Sequence, residues 1–360
     1  MSEQLISESR NKFREILLTW FKKHKRELPW RGIDDPYRIW VSEVMLQQTQ
    51  VKKVVGYYER FVKRFPDVQQ LAEAPLQDVL KVWEGLGYYA RARNFHKAAK
   101  IVVKDFGGVV PNEYSTFRQL PGVGDYSAAA VLSIAYNAPF AAVDGNIKRV
   151  LARLFMMETP INDGRTAKQF QQKADELLDL DEPGVFNQAM MELGATVCRP
   201  QSPTCLVCPV NVFCQAFRST RQDEYPLRLK KEKVPEHYMV AGVIYKGNEI
   251  LIVQRPLDGL LGGLWEFPNG RIAEGETAEQ ACIRYITEVV NLSVNNIKYL
   301  TRVRHAFTHF KIVLDVFECN YHSGEVKLNG PIDAKWVKLT SLHDFPLPRA
   351  THKFLETLIH

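Results

Sequence analysis

The chain has 360 residues, enough for two ordinary domains. At 46% hydrophobic and 24% charged it falls outside the disordered class, and a net charge of +6 favours polyanionic partners only weakly. No apolar run approaches the length of a membrane span, and the start, Met1-Ser2-Glu3-Gln4-Leu5, has no apolar leader core, so a soluble intracellular protein with no membrane partner is expected.

Taken in chain order, the first part reads as helices. Phe13, Ile16, Leu17, Trp20 and Phe21 recur at i, i+3, i+4, i+7 and i+8, the pattern of one buried helical face. Val79, Leu80 and Trp83 begin a second apolar stripe, and Val131, Leu132, Ala135 and then Val150, Leu151, Leu154 continue the theme. β-branched alternation is scarce before residue 235. From Arg218 to Pro235 the chain carries Arg221, Arg228, Lys230, Lys231 and Lys233, punctuated by Pro226 and Pro235. This is a basic linker, either a solvated connector or a tether along a phosphate backbone. Beyond it, Met239–Tyr245 and Glu249–Val253 flank Lys246-Gly247-Asn248 as a hairpin. Lys311–Phe317 reads as a further strand and Ala278–Val290 as one helix. The expected fold class is therefore multidomain, an all-α domain followed by a smaller α+β domain.

Three features carry chemistry. Cys198, Cys205, Cys208 and Cys214 are spaced C-x6-C-x2-C-x5-C, so four thiolates can close around one metal centre, with zinc or an iron–sulfur cluster both open. A disulfide framework would spread its cysteines through a small secreted chain, so the clustering argues for metal in a reducing compartment. Upstream, Leu120-Pro121-Gly122-Val123-Gly124 is a Gly-rich turn that brings backbone N–H groups close to an anion, and a helix from about Tyr126 would present its N-terminus to a phosphate. Such a contact, through Gly122 and Gly124, positions a DNA backbone without reading sequence. Asp144 follows Gly124 by 20 positions.

The Gly turn followed by Val143-Asp144-Gly145-Asn146 resembles the helix-hairpin-helix and aspartate signature of the endonuclease III superfamily of DNA glycosylases. The cysteine spacing is similar to the [4Fe–4S] loop of that superfamily, which favours the cluster over zinc. Strand-cleaving members carry a lysine at position 126, whose amine attacks the sugar. Here the residue is Tyr126, and no lysine lies between Asp105 and Asn146, which implies a monofunctional glycosylase. Val41-Ser42-Glu43-Val44-Met45-Leu46-Gln47-Gln48-Thr49-Gln50, Trp83–Tyr89 and Phe186–Gly194 resemble segments of the adenine glycosylase (MutY) family, which excises adenine opposite 8-oxoguanine. The likeness runs from about Leu28 to Cys214.

That resemblance implies the site. Glu43 would protonate adenine at N7, and its apolar neighbours Val41, Val44, Met45 and Leu46 would raise its pKa by desolvation. Asp144 would stabilise or trap the sugar cation, with Tyr126 and Asn146 orienting it, the two-carboxylate logic of glycoside hydrolysis. Gln48 and Tyr88 would enter the base stack beside 8-oxoguanine once adenine is extruded, with Leu46 and Thr49 close by. Trp30, Arg31 and Gln188 would line the adenine pocket. The cluster is read as a structural clip that orders the loop carrying Arg199 and Arg218 against DNA.

In the C-terminal part, Gly270, Glu276, Arg284 and Glu288 fit the frame G-x5-E-x7-R-x3-E and resemble the Nudix box of MutT-type hydrolases. That box carries further glutamates where this chain has Tyr285 and Val289, and a glycine where it has Asn291. One or two carboxylates hold no catalytic Mg²⁺ set, so a retired hydrolase kept for recognition is inferred. Phe307-Thr308-His309 stands where the resemblance places an 8-oxoguanine-reading Phe-Ser-His, and threonine keeps the hydroxyl. The expected division is a helix-hairpin-helix glycosylase domain with the [4Fe–4S] loop over 1–217, a basic linker over 218–235 and a Nudix-like recognition domain over 236–360. The expected partner is double-stranded DNA with A:8-oxoguanine or A:G mispairs, bound by a cytoplasmic, nucleoid-associated bacterial monomer.

Overall fold

The computed structural model describes residues 3–230 and 233–358; Met1, Ser2 and Lys231, on which two sequence readings partly rest, lie outside them. The chain divides into two compact units, Met1–Glu73 with Lys97–Lys231, and Ala74–His96 with Glu232–His360. Up to residue 218 the α-helices are α1 (Glu3–His24), α2 (Pro36–Leu46), α3 (Val51–Arg64), α4 (Val68–Glu73), α5 (Leu76–Trp83), α6 (Ala90–Phe106), α7 (Tyr114–Arg118), α8 (Asp125–Tyr136), α9 (Gly145–Leu154), α10 (Ala167–Leu177), α11 (Pro183–Thr196) and α12 (Gln215–Arg218). Among the described residues no strand precedes Glu236, and no helix is long and apolar enough to cross a membrane.

In the first unit, Phe13, Leu17 and Phe21 of α1 enter one core with Phe186, Met190 and Leu193 of α11. α2 begins at Pro36 behind Asp35, whose side chain accepts from Arg38 N, and it is buried from Tyr37 and from Ile39 through Met45. A helix apolar all round belongs in an interior, and α2 packs there against α8. α8 is built of small residues, Ser127 to Ala130, which let its neighbours approach. Close approach also decides Gly194 of α11: a Cβ there would lie 2.9 Å from Asn146 Cβ, so only glycine lets α9 seat where it does.

Part of the basic stretch is docked rather than solvated. Arg153, buried in α9, donates to the carbonyls of Gln222 and Tyr225, and Tyr225 is buried. Ile161 N donates to Leu227 O at 3.0 Å, and Asn162 bonds Leu229 in both directions. The backbone either side of Arg228 is thereby clamped to the helical unit.

The second unit is a mixed sheet of β1 (Glu236–Lys246), β2 (Glu249–Gln254), β3 (Trp265–Glu266), β4 (Asn269–Arg271), β5 (Ser293–Ala306), β6 (Lys311–Ser323) and β7 (Asp333–Lys338). The order is β3-β2-β1-β6-β5, with β4 on β1 and β7 on β2; β1 and β6 run parallel and the other pairs antiparallel. Lys246 pairs Glu249 across the expected tight turn. The sheet is covered on both faces, by α13 (Ala278–Val290) on Val240, Ile244 and Leu251 and by α14 (Arg349–Leu355) on the Ala241 and Val243 face. Double cover explains why β1 reads as a continuous apolar run instead of alternating. The 74–96 segment joins this unit through specific bonds: Gln77 donates to Gly263 O and accepts from Trp265 Nε1, and Arg93 donates to the carbonyls of Gly259 and Gly262.

Candidate active site

The first unit holds a cavity of about 1120 Å³ whose walls include Glu43, Tyr126, Asp144 and Asn146. Trp30, Arg31, Leu46, Gln48, Thr49 and Gln188 line it as well, and so do Gly122 and Gly124 of the Gly turn. Ten further sequence-assigned residues thus join the two carboxylates or stand at their rim. Gly122 has φ +80°, the left-handed backbone that the turn requires, and Gly124 caps α8 without any side-chain bond, leaving the first N–H groups of that helix available to an anion.

Glu43 sits on the buried α2, 4% exposed. Burial pushes its carboxyl up to about 7; the Tyr126 bond works against this and the nearby Asp144 charge adds to it. Tyr126 OH donates to Glu43 Oε2 at 2.9 Å. This corrects one expectation: Tyr126 bonds Glu43 and not Asp144, because α8 packs its first turn against α2 while Asp144 is held from its own helix. Asp144 is the N-cap of α9. Its Oδ1 accepts from Ile147 N at 2.7 Å and its Oδ2 from Asn146 Nδ2 at 3.0 Å. Burial raises its pKa, and those two bonds oppose the rise. Asn146 Oδ1 in turn accepts from Arg149 Nη2, whose guanidinium also donates to Gly194 O and, through Nε, to Cys198 O. The Asp144 carboxylate is thereby oriented by a chain of bonds that ends at the first cysteine.

The cavity lining also contains a group that sequence reasoning missed. Glu192, 1% exposed, accepts from Arg26 Nε at 2.6 Å and from Arg31 Nη2 at 2.6 Å. Its desolvation is outweighed by these bonds, so its pKa is lowered. Arg31 also donates to Arg26 O and rests its guanidinium on the Phe21 ring. Arg31 therefore lines the cavity with its guanidinium held by Glu192 and Arg26 O. Trp30 is buried edge-on to Tyr58, and Gln188 donates to Gly184 O. Gln48 has φ +56°, an outlier for a non-glycine residue at the cavity rim. Arg228, from the clamped stretch, lines the same cavity, a placement that only its basic character hinted at.

In the second unit Tyr88 is 43% exposed, also in the left-handed region at φ +50°, with Arg91 over its ring. Its hydroxyl lies 2.6 Å from Thr308 Oγ1. Phe307 stacks tilted on Phe310 at 4.7 Å, and His309 is exposed. The structure thus joins Tyr88 to the 307–309 loop, a link that a separation of 220 positions hides in the sequence. The Nudix-like frame is closed on itself. Arg284 clamps Glu276 through Nε and Nη2 and reaches Glu288 through Nη1, and this holds the Glu276 carboxyl down at about 2. Tyr285 lies so close over Gly270 that a Cβ there would meet its ring at 2.1 Å.

Cys198, Cys205, Cys208 and Cys214 form no disulfide and lie near enough for their charges to act on one another. Arg153 Nη1 lies 3.3 Å from Cys198 Sγ and also donates to Arg199 O, a cationic setting that suits bound thiolates. Among the described residues no three His, Cys, Asp or Glu side chains converge on one point as ligands of a single ion would.

The helical fold, the glycine-capped helix and the paired carboxylates define a base-excision DNA glycosylase of the helix-hairpin-helix class. A family model described as "HhH-GPD superfamily base excision DNA repair protein" matches residues 41–178, and a NUDIX domain model matches residues 239–357. Among solved structures, a thermostable thymine-DNA glycosylase is 29% identical, with 59% of this chain and 99% of that one covered at a TM-score of 0.55. Endonuclease III in a non-covalent DNA complex, 23% identical with 61% and 98% covered and a TM-score of 0.51, shares the fold. The human adenine DNA glycosylase is 33% identical over 95% of this chain and 73% of its own length. That of Buchnera aphidicola from Acyrthosiphon pisum is 31% identical over 96% and 97%. The chain belongs to the adenine DNA glycosylase family.

Proposed function

We propose that this enzyme hydrolyses the N-glycosidic bond of adenine mispaired with 8-oxoguanine or guanine in duplex DNA, without cutting the strand. The observation that carries the reading is the pair of carboxylates at one cavity, Glu43 buried and Asp144 half-buried, with different partners. Glu43, held near neutral pKa, is the general acid. With Tyr126 OH donating to Oε2, the acid proton on Oε1 is free to reach N7 of the extruded adenine. The C1′–N9 electron pair then leaves with the protonated base. Asp144, its carboxylate favoured by Ile147 N and Asn146, stabilises or traps the oxocarbenium ion until water adds at C1′. Tyr126 in place of an attacking lysine supports monofunctional chemistry.

We further propose that the four cysteines hold a [4Fe–4S] cluster that clips the loop, and that the protein acts as a cytoplasmic, nucleoid-associated monomer. The working division is residues 1–217 for chemistry, 218–235 for connection and 236–360 for recognition of 8-oxoguanine. Gln48 and Tyr88 hold the stack open, with Leu46 and Thr49 beside them, while Trp30, Arg31 and Gln188 border the base. Gly122 and Gly124 take a backbone phosphate.

A single-turnover assay on a duplex with one A opposite 8-oxoguanine, scored with and without alkali beside A:G and A:T duplexes, tests the whole reading. Alkali-dependent breakage, fastest at A:8-oxoguanine, is expected. No breakage of any adenine duplex by protein with an intact visible cluster absorbance leaves a binding module only. Thr308 is proposed to bond the 8-oxoguanine edge with Phe307 and His309 around it. Replacing all three by alanine is expected to erase the preference for A:8-oxoguanine over A:G while base excision continues, and an unchanged preference removes the assignment. Arg228, fixed at the cavity, is proposed to pair a phosphate near the extruded nucleotide. For Arg228→Ala the slope of log affinity against log salt should flatten by about 1, with affinity falling alike for all duplexes.

A further inference from the structure

The exposed Tyr88 ring ends a short loop that follows α5, and that loop is fastened at its first residue. Glu84 terminates α5 with its side chain only 14% exposed. Its Oε1 accepts from Leu347 N at 2.8 Å and lies 2.8 Å from His352 Nε2, while its Oε2 accepts from Lys81 Nζ at 2.5 Å. Lys81 Nζ donates in addition to Phe345 O at 3.1 Å. Two side chains at the end of α5 thus grip the segment 345–352 of the same unit, which includes the first turn of α14. Desolvation works to raise the Glu84 pKa, but the bonds from His352, Lys81 and Leu347 N outweigh it and the carboxyl is held below its usual range. Such a carboxylate is more than an exposed ion pair, because its removal strands the N–H of the buried Leu347.

Bonds inside the loop carry the position of Glu84 forward to Tyr88. Gly85 N donates to Tyr89 OH at 3.0 Å, and Gly87 O accepts from Trp83 Nε1 at 3.1 Å and from Arg91 Nη2 at 3.0 Å. The Arg91 guanidinium lies 5.4 Å from the centre of the buried Trp83 ring and 5.5 Å from that of Tyr88. Gly85 and Gly87 stand at φ +84° and +87°, a path that side-chain-bearing residues rarely follow. The loop is therefore a stiff link and not a slack one. At its far end Tyr88 meets Thr308. The ring is thus held from two directions, through Glu84 from residues 347 and 352 and through its own hydroxyl from the 307–309 loop.

We propose that Glu84 is a positioning residue for lesion recognition, a pin that fixes the Tyr88 loop to the segment 345–352 so that the ring enters the base stack at one place beside Thr308. This assignment rests on the roles proposed for Tyr88 and Thr308. Glu84 acts through Tyr88 and not on a base. A ring that is already held loses little freedom on insertion, and its contact with Thr308 keeps that hydroxyl aimed at the opposite base. A loose ring inserts at many places, so the duplex with 8-oxoguanine and the duplex with guanine are treated more alike.

The test is binding of the full-length protein to duplexes that carry 2′-fluoro-2′-deoxyadenosine, whose fluorine opposes departure of the base, opposite 8-oxoguanine or guanine at one fixed salt concentration. The parent should prefer the 8-oxoguanine duplex. Glu84→Ala should reduce that preference by roughly tenfold, the worth of one hydrogen bond to a charged group. Glu84→Gln keeps an acceptor for Leu347 N and should restore the preference to within about threefold of the parent. In a Tyr88→Ala background, Glu84→Ala should change the preference by less than about twofold, since the pin then has no ring to place. If Glu84→Ala fails to fold, His352→Ala, at an exposed side chain, carries the test with an expected loss of about threefold. A parent without any preference removes the roles of Tyr88 and Thr308, and the pin with them. A parent that discriminates beside a folded Glu84→Ala or His352→Ala variant with unchanged preference, or equal losses with and without Tyr88, overturns the pin alone.

Discussion

Glu43→Gln is expected to slow adenine excision by about 10²–10⁴-fold, the usual worth of a positioned general acid, and at the same time to make the protein more stable above neutral pH. Both effects come from one fact: Glu43 is buried and its carboxyl is raised from about 4.5 to about 7. Between those values the folded protein keeps a proton that the unfolded chain releases. Stability from this group is therefore complete below about pH 4.5 and is lost as pH climbs through about 7. A shift of that size is worth up to about 3 kcal/mol. Glutamine has no charge to bury and its carbonyl still accepts from Tyr126 OH, so the variant escapes the loss. Urea unfolding at pH 5 and pH 8 checks this: the variant should match the parent at pH 5 and exceed it at pH 8. Equal differences at both values would mean that Glu43 titrates normally. The catalytic consequence has the same sign, because an acid with this pKa empties as pH rises, so the single-turnover rate of the parent should fall above about pH 7.

How much of this was legible in the sequence depends on how far each feature reaches along the chain. Local features were legible. Ala278–Val290 is a helix at the expected bounds, since Thr277 and Gln280 make a reciprocal capping box and Asn291 ends it in a left-handed turn. The Phe13–Phe21 stripe is buried because a 3.6-residue period says which face is buried without saying against what. Distant pairings were not legible. The cage around Glu192 unites residues 26, 31 and 192, and no spacing rule joins arginines to a glutamate some 160 positions away. The Tyr126 partner was misassigned for the same reason, since sequence places it near Asp144 while helix packing gives it Glu43. The 74–96 segment reads as one more stripe of the helical domain. Its place in the second unit comes from side chains such as Gln77 and Arg93 that bond backbone carbonyls, and backbone carbonyls carry no sequence signal. The parallel β1–β6 pair joins residues 75 positions apart, Glu236 with Lys311, and was equally hidden.

Asp144 offers the second large effect, and it separates chemistry from folding at one position. The residue does two things: it caps α9 through Oδ1 and it presents a carboxylate at the cavity. Asparagine caps about as well as aspartate, so Asp144→Asn should keep the Ile147 bond and leave stability within about 1 kcal/mol. That variant removes the charge and, at Oδ2, the acceptor of the Asn146 Nδ2 bond, and loss of preorganised charge at a developing cation should slow excision by on the order of 10²–10³-fold or more. Asp144→Ala removes the cap as well, so it should be as slow as Asp144→Asn and also about 1 kcal/mol less stable. Thermal unfolding beside single-turnover kinetics reads the two apart, and an asparagine variant within a few-fold of the parent rate would exclude a charged role. The same carboxylate sets the acid side of the pH profile. Burial raises the Asp144 pKa, so its reactive form is lost at a higher pH than an ordinary aspartate would require. Glu43 must hold its proton while Asp144 has shed its own, so the rate should be bell-shaped with its alkaline limb near 7. The two groups feel each other's charge, and the limbs therefore belong to the pair. In Glu43→Gln the alkaline limb should disappear while the acid limb stays, because only Asp144 is then left to titrate.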